Sequence, residues 1–182
     1  MKGVVFTEFL ELVEDKFGLQ VADTVITKGC PFSRGYTSVG TYDYRELLSM
    51  VGQLSSETSA PTATLVKTFG KHLFQTFLKS YPEAFLNACS TEELLHQVED
   101  AIHIEVRKLY PDAELPTFRF PPASPNEFVV EYQSGRPFAD LAEGLLEASI
   151  HHFGESFVLE RTDLDGEPGT HCLFRFHHAE PT

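Results

Sequence analysis

Positive charge is scarce in this chain. Of 182 residues only 14 are Lys or Arg against 27 Asp or Glu, a formal net charge of −13 at pH 7, and the pI is about 4.9. Phosphate-backbone binding runs on excess cationic charge, so no nucleic-acid partner is expected. Anionic lipid headgroups repel such a surface too. No run of about 18 apolar residues occurs, so no membrane insertion is expected. Cysteine is equally sparse: Cys30, Cys89 and Cys172 lie far apart, with no CxxC. That excludes a zinc ribbon, a thioredoxin-like centre and covalent c-type haem attachment. Three scattered thiols fit a reducing cytoplasm, each as a small apolar filler. The opening MKGVVFTEFLELVEDKFG meets acid at Glu8, which suits an amphipathic helix and not a signal peptide. GxSxG, Walker A, GxGxxG and paired-carboxylate patterns are all missing. Asp112 and Glu114 are ordinary acids of a loop after a helix.

What is present describes one folded domain spanning residues 1–182, with 42% apolar and 23% charged residues. Val5, Phe6, Phe9, Leu10, Val13 and Phe17 repeat at helical spacing over 2–17, and Gly18 closes that helix. A second helix over 19–28 and a Gly/Pro/Ser loop over 29–40 follow. A third covers 43–54 with Asp43 as N-cap, then a connector, Ser55 to Pro61. Leu65, Val66, Phe69, Leu73, Phe77 and Leu78 mark a strongly apolar, central helix that stops near Tyr81-Pro82. Ser90 and Glu93 form a capping box for a helix ending near Tyr110. After Pro116 the period changes. Phe118 with Phe120, Phe128 to Tyr132, Phe157 to Arg161 and Cys172 to Phe176 read as strands. A helix from Pro137 to His152 interrupts them, and a turn with Asp165-Gly166 and Pro168-Gly169 joins the last two. This order is α+β: a helical lobe over about 1–60, then helices and a four-stranded antiparallel sheet over about 61–182.

Two groups of residues could carry chemistry. In HIEVRKLYPDAELP, His103 lies roughly 120° from the middle of the stripe Leu94, Val98, Ile102, Glu105 or Val106, and Leu109 at 100° per residue. Spacing therefore makes it a partly exposed shoulder residue. The sharper reading is an iron or zinc ligand on a second surface, because neutral imidazole is a common metal ligand. No HExxH or other chelating spacing supports a multi-histidine zinc site. A single axial histidine needs no such partner when a porphyrin supplies the rest. The second group is Tyr132-Gln133-Ser134-Gly135-Arg136. In an extended chain Tyr132, Ser134 and Arg136 share one face, and two hydroxyls with a guanidinium suit a carboxylate. The plainer alternative is a strand end with an exposed arginine. His72 reads as a hydrogen-bonded structural histidine. His151-His152 close a helix before Gly154, and His177-His178 lie in a frayed tail.

Together these residues resemble the H-NOX family, the haem-nitric oxide/oxygen binding domains similar to the sensor domain of soluble guanylate cyclase. The likeness rests on Tyr132-x-Ser134-x-Arg136 lying some thirty residues after a histidine that precedes LYPDAELP. It extends through YTSVGTYD and RPFADLAEGL to essentially the whole chain, closest to the stand-alone bacterial type. The resemblance implies a haem b held non-covalently between the two lobes. His103 would be the axial iron ligand, Tyr132, Ser134 and Arg136 would bind the propionates, and Pro116 would press on and distort the porphyrin. Oxygen-binding members use a distal tyrosine. The matching position here is Leu141, among Val5, Phe9, Leu73, Phe77 and Leu145. An apolar wall gives iron-bound oxygen no hydrogen bond, whereas nitric oxide binds ferrous haem without one. The resemblance thus implies a cytoplasmic nitric oxide sensor, also open to carbon monoxide, and not an enzyme. Release of His103 from iron would signal to a partner, a histidine kinase or a cyclic-di-GMP enzyme (diguanylate cyclase or phosphodiesterase). Cys172 alone cannot close the zinc site some members carry. The rival readings are an oxygen-binding haem sensor or carrier, a metal-dependent hydrolase and a haem-free interaction module.

Overall fold

A computed structural model describes residues 1–111, 113–124, 127–164 and 166–178. The N-terminal apolar pattern folds into α1 (Gly3–Phe17), α2 (Leu19–Gly29), α3 (Tyr44–Thr58) and α4 (Thr62–Ser80). Their inward faces meet in one core built around Phe6, Phe9, Val25, Leu47, Met50 and Phe69. Gly18 separates α1 from α2 at φ 88°, a conformation glycine adopts without steric cost. Asp43 caps α3, its carboxylate accepting from the Arg45 amide. The helix does not stop at Leu54, however, and absorbs the first half of the expected connector. Ser56 and Thr58 donate back to the carbonyls of Gly52 and Leu54, which supports those last turns locally. Ser59, at φ 59°, ends them.

The second half runs α5 (Thr91–Gln97), a π-helical turn (Val98–Ile102), α6 (His103–Leu109), β1 (Thr117–Arg119), β2 (Glu127–Gln133), α7 (Ala139–His152), β3 (Phe157–Asp163) and β4 (His171–His178). The Ser90 hydroxyl accepts from the Glu93 amide as expected, but the Glu93 carboxylate returns to the amide of Cys89. The four strands form one antiparallel sheet in the order β1-β2-β4-β3, so the α+β expectation is what the structure shows. Phe120 falls outside β1 and stacks on His96 at 3.7 Å. His177 and His178 are not a frayed tail. They extend β4 and pair with Val158 and Phe157. The expected turn residues Pro168 and Gly169 connect β3 to β4, while Asp165 lies outside the described residues, as does Asp112.

One helix serves two cores. Phe138 and Leu141, at the start of α7, join the helical core. Ala142, Leu146 and Ile150 pack on Phe128, Val130, Tyr132, Cys172, Phe174 and Phe176 of the sheet. Helix α7 begins at Ala139 and not at Pro137. The Ser134 hydroxyl accepts from the Arg136 amide and the Phe138 amide bonds the Arg136 carbonyl, so the chain turns before the helix starts. Helices α4 and α7 touch backbone to backbone. A Cβ on Gly70 would collide with the Leu141 carbonyl, and one on Gly144 with that of Lys67. Cys30 and Cys172 are buried fillers. Cys89 is exposed, because it precedes the α5 cap at the surface. Among the described residues no helix is long and apolar enough to cross a membrane.

Candidate functional site

His103 is only 8% exposed, which corrects the shoulder position that uniform helical spacing gives it. The cause is the π turn immediately before it. A π turn closes i→i+5 and holds one residue more than an α turn, so everything after it is rotated by roughly 100°. His103 thereby takes the inward place that Ile102 would hold in an unbroken α-helix. Ile104 is left 43% exposed.

The imidazole is oriented from its back. His103 Nδ1 lies 3.3 Å from Glu99 Oε2, and the same oxygen accepts from the Phe118 amide at 3.0 Å. An ionised carboxylate can only accept, so Nδ1 carries the proton and Nε2 keeps its lone pair. Burial pushes the pKa of His103 below its ordinary value, Glu99 opposing and Arg107 adding to the shift. A buried imidazole that donates from Nδ1 and keeps the Nε2 lone pair is the form that binds a metal.

Tyr132, Ser134 and Arg136 do not form a straight row, because β2 ends at Gln133. Tyr132 is 2% exposed on the inner face of the sheet. Burial pushes its hydroxyl up to about 12, with the Ser134 hydroxyl acting the other way, so it remains a donor at neutral pH. The Arg136 side chain is 13% exposed, against the plainer alternative of an exposed arginine at a strand end. Its guanidinium lies 5.4 Å from the Tyr44 ring. Nε and a terminal nitrogen both hold Glu114 Oε2, at 3.0 and 2.7 Å. Glu114 itself is 72% exposed. A sheltered cation that grips a surface carboxylate through two donors has the chemistry to take a carboxylate from a ligand.

Phe118 joins the two groups. Its ring stacks on His103 at 5.8 Å and 19°, and sits 5.9 Å from Tyr132, its partner across β1 and β2. Glu99 and Phe118 are the members that sequence reasoning missed. The i, i+4 spacing of Glu99 and His103 was the available signal. Pro116 is half-buried in the segment entering β1. The six apolar positions Val5, Phe9, Leu73, Phe77, Leu141 and Leu145 all pack in or against the helical core. His72 is hydrogen-bonded to Glu8 at 3.3 Å, as a structural histidine should be. His171 and His177 pair with Glu131 and Glu160 on the outer face of the sheet.

A scan of protein families matches residues 2–161 to the haem-NO-binding family. Among solved structures, the Fe(II) unliganded H-NOX protein of K. algicida is 38% identical, with a TM-score of 0.88, covering 100% of this chain and 98% of that one. The H-NOX of Shewanella woodyi in the Fe(II)CO state is 41% identical, with a TM-score of 0.83, over 99% and 95% of the two chains. An H-NOX protein of S. oneidensis in the Fe(II)NO state is 27% identical, with a TM-score of 0.84, over 97% and 98%. No curated protein matches the chain.

Proposed function

The chain belongs to the H-NOX family of haem-binding gas sensor domains, and on that premise we propose that it is a nitric oxide sensor holding haem b without a covalent link. The observation that carries this reading is His103: buried, its pKa held below the ordinary value by that burial, and anchored through Nδ1 to Glu99, which leaves Nε2 to bind iron. Haem supplies a ferrous iron with one coordination position open to a diatomic gas. The residues present fit it. His103 would hold the iron, and Arg136, Tyr132 and Ser134 would donate to the haem propionates. The hold of Arg136 on the Glu114 carboxylate supports that assignment. Pro116, in the segment leading to β1, would press on the ring.

Val5, Phe9, Leu73, Phe77, Leu141 and Leu145, which pack in or against the helical core, would form the distal wall. None of these side chains can donate a hydrogen bond. They admit nitric oxide and carbon monoxide and give no support to oxygen, which needs a donor for the charge it takes on. Release of His103 would uncouple α6 from a bound haem and would let the helices of 1–60 shift against the rest of the single domain, a two-state element biased by ligand. The output is a changed contact with a cytoplasmic partner, a histidine kinase or an enzyme that makes or degrades cyclic-di-GMP, and not catalysis by this chain.

Absorption spectra of the reduced protein test this. A Soret band is expected, with a five-coordinate spectrum that changes on nitric oxide and forms no stable complex in air. An air-stable oxygen spectrum would refute the distal assignment, and colourless protein that takes up no added haem would refute the whole. His103→Gly should keep the fold and uncouple gas binding from partner control. Normal switching of that variant with free imidazole would end the release mechanism.

A further inference from the structure

We propose that Glu99 is a positioning residue for His103, setting through the Nδ1 contact how tightly the imidazole holds iron and tying that imidazole to strand β1. The inference rests on His103 being the axial ligand. Three observations lead to it. Glu99 lies inside the π turn, so the feature that turns His103 inward also fixes where this carboxylate stands. One oxygen, Oε2, serves both the imidazole at 3.3 Å and the Phe118 amide at 3.0 Å. The amide pins the carboxylate to β1, at the residue whose ring stacks on the imidazole. Finally, the pair is sheltered, with side-chain exposures of 10% for His103 and 21% for Glu99, so water screens the contact weakly.

A carboxylate that accepts the Nδ1 proton fixes the tautomer and ring orientation and makes Nε2 a stronger donor to a metal. Electron density pushed toward the iron favours its oxidised state, which lowers the reduction potential. The same carboxylate gives His103 a mechanical partner. A pull on the ring is felt at the Phe118 amide, and through the β1–β2 register at Tyr132. Arg107 is the other charged group acting on the imidazole. It is exposed on the following turn and cannot accept the Nδ1 proton.

The test uses the haem-loaded full chain as wild type, Glu99→Gln, Glu99→Asp and His103→Gly. The glutamine keeps an amide oxygen for Phe118 and removes only the charge. The aspartate keeps the charge and loses the reach. The readouts are the iron–histidine stretching frequency of the unliganded ferrous protein and its midpoint potential. The expected result is a lower frequency and a higher potential in both Glu99 variants with haem retained. Loss of histidine ligation on nitric oxide should be roughly tenfold faster, the low end of what removing such a partner does to metal affinity. A purely structural Glu99 would alter thermal stability and leave frequency and potential unchanged, and that result overturns the proposal. Absence of an iron–histidine band in the wild type, or its survival in His103→Gly, would overturn the axial assignment itself, which separates the two failures.

Discussion

Replacing Gly144 with alanine should force the α4–α7 crossing apart. The new Cβ would overlap the Lys67 carbonyl and stand 3.1 Å from the Gly70 Cα. Both obstacles are backbone, so no flexible side chain can yield. Overpacking a tight site costs about 1–3 kcal/mol, and rigid neighbours place this case near about 3. Alanine returns about 1 kcal/mol of helix propensity. The net loss is about 2 kcal/mol, which for a chain of this size lowers Tm by roughly 4–8 °C. Gly52 in α3 is the control, since nothing lies within 4 Å of its added Cβ. Gly52→Ala should gain about 1 kcal/mol and raise Tm by roughly 2–4 °C. Thermal unfolding followed by circular dichroism measures both. The crossing also sets the spacing of Leu73 and Phe77 on α4 from Leu141 and Leu145 on α7. Gly144→Ala should therefore change gas affinity as well as stability. An unchanged or raised Tm for Gly144→Ala would show that the helices separate freely, and the close-contact reasoning would fail.

Two further predictions concern Tyr132 and Arg136, the proposed propionate donors. The folded pKa of Tyr132 is raised from 10.0 to about 12, so its contribution to stability is complete below pH 10 and is lost as pH rises through about 12. By linkage that amounts to about 3 kcal/mol; urea unfolding at pH 9 and 11.5 should show a steeper alkaline loss in wild type than in Tyr132→Phe, and equal slopes would contradict the assignment. Arg136→Ala should release haem readily, whereas Glu114→Ala, which removes an exposed partner, should change stability by less than about 1 kcal/mol and leave haem bound; haem retention by Arg136→Ala under dialysis would remove Arg136 from the site.

The sequence alone determined the element types, because burial imposes a period of 3.6 on helices and of 2 on strands. The helices packed around Phe6, Phe9 and Phe69 and the alternating strands around Phe128, Phe174 and Phe176 were legible for that reason. The cap at Asp43 was legible too, since capping is a contact between neighbours in the chain. Residue type at fixed spacing likewise exposed His103 and the Tyr132, Ser134 and Arg136 group. Tertiary structure decided which way His103 faces. Its burial follows from a π turn, a local departure from the α period that apolar spacing does not record. It also decided the burial of Arg136, the strand order β1-β2-β4-β3, and the meeting of Glu99, Phe118 and His103. The contacts of Phe118 with Glu99 and with His103 join residues from separate elements. They exist only once the sheet has closed on α7 and the helix carrying His103 has been rotated toward it.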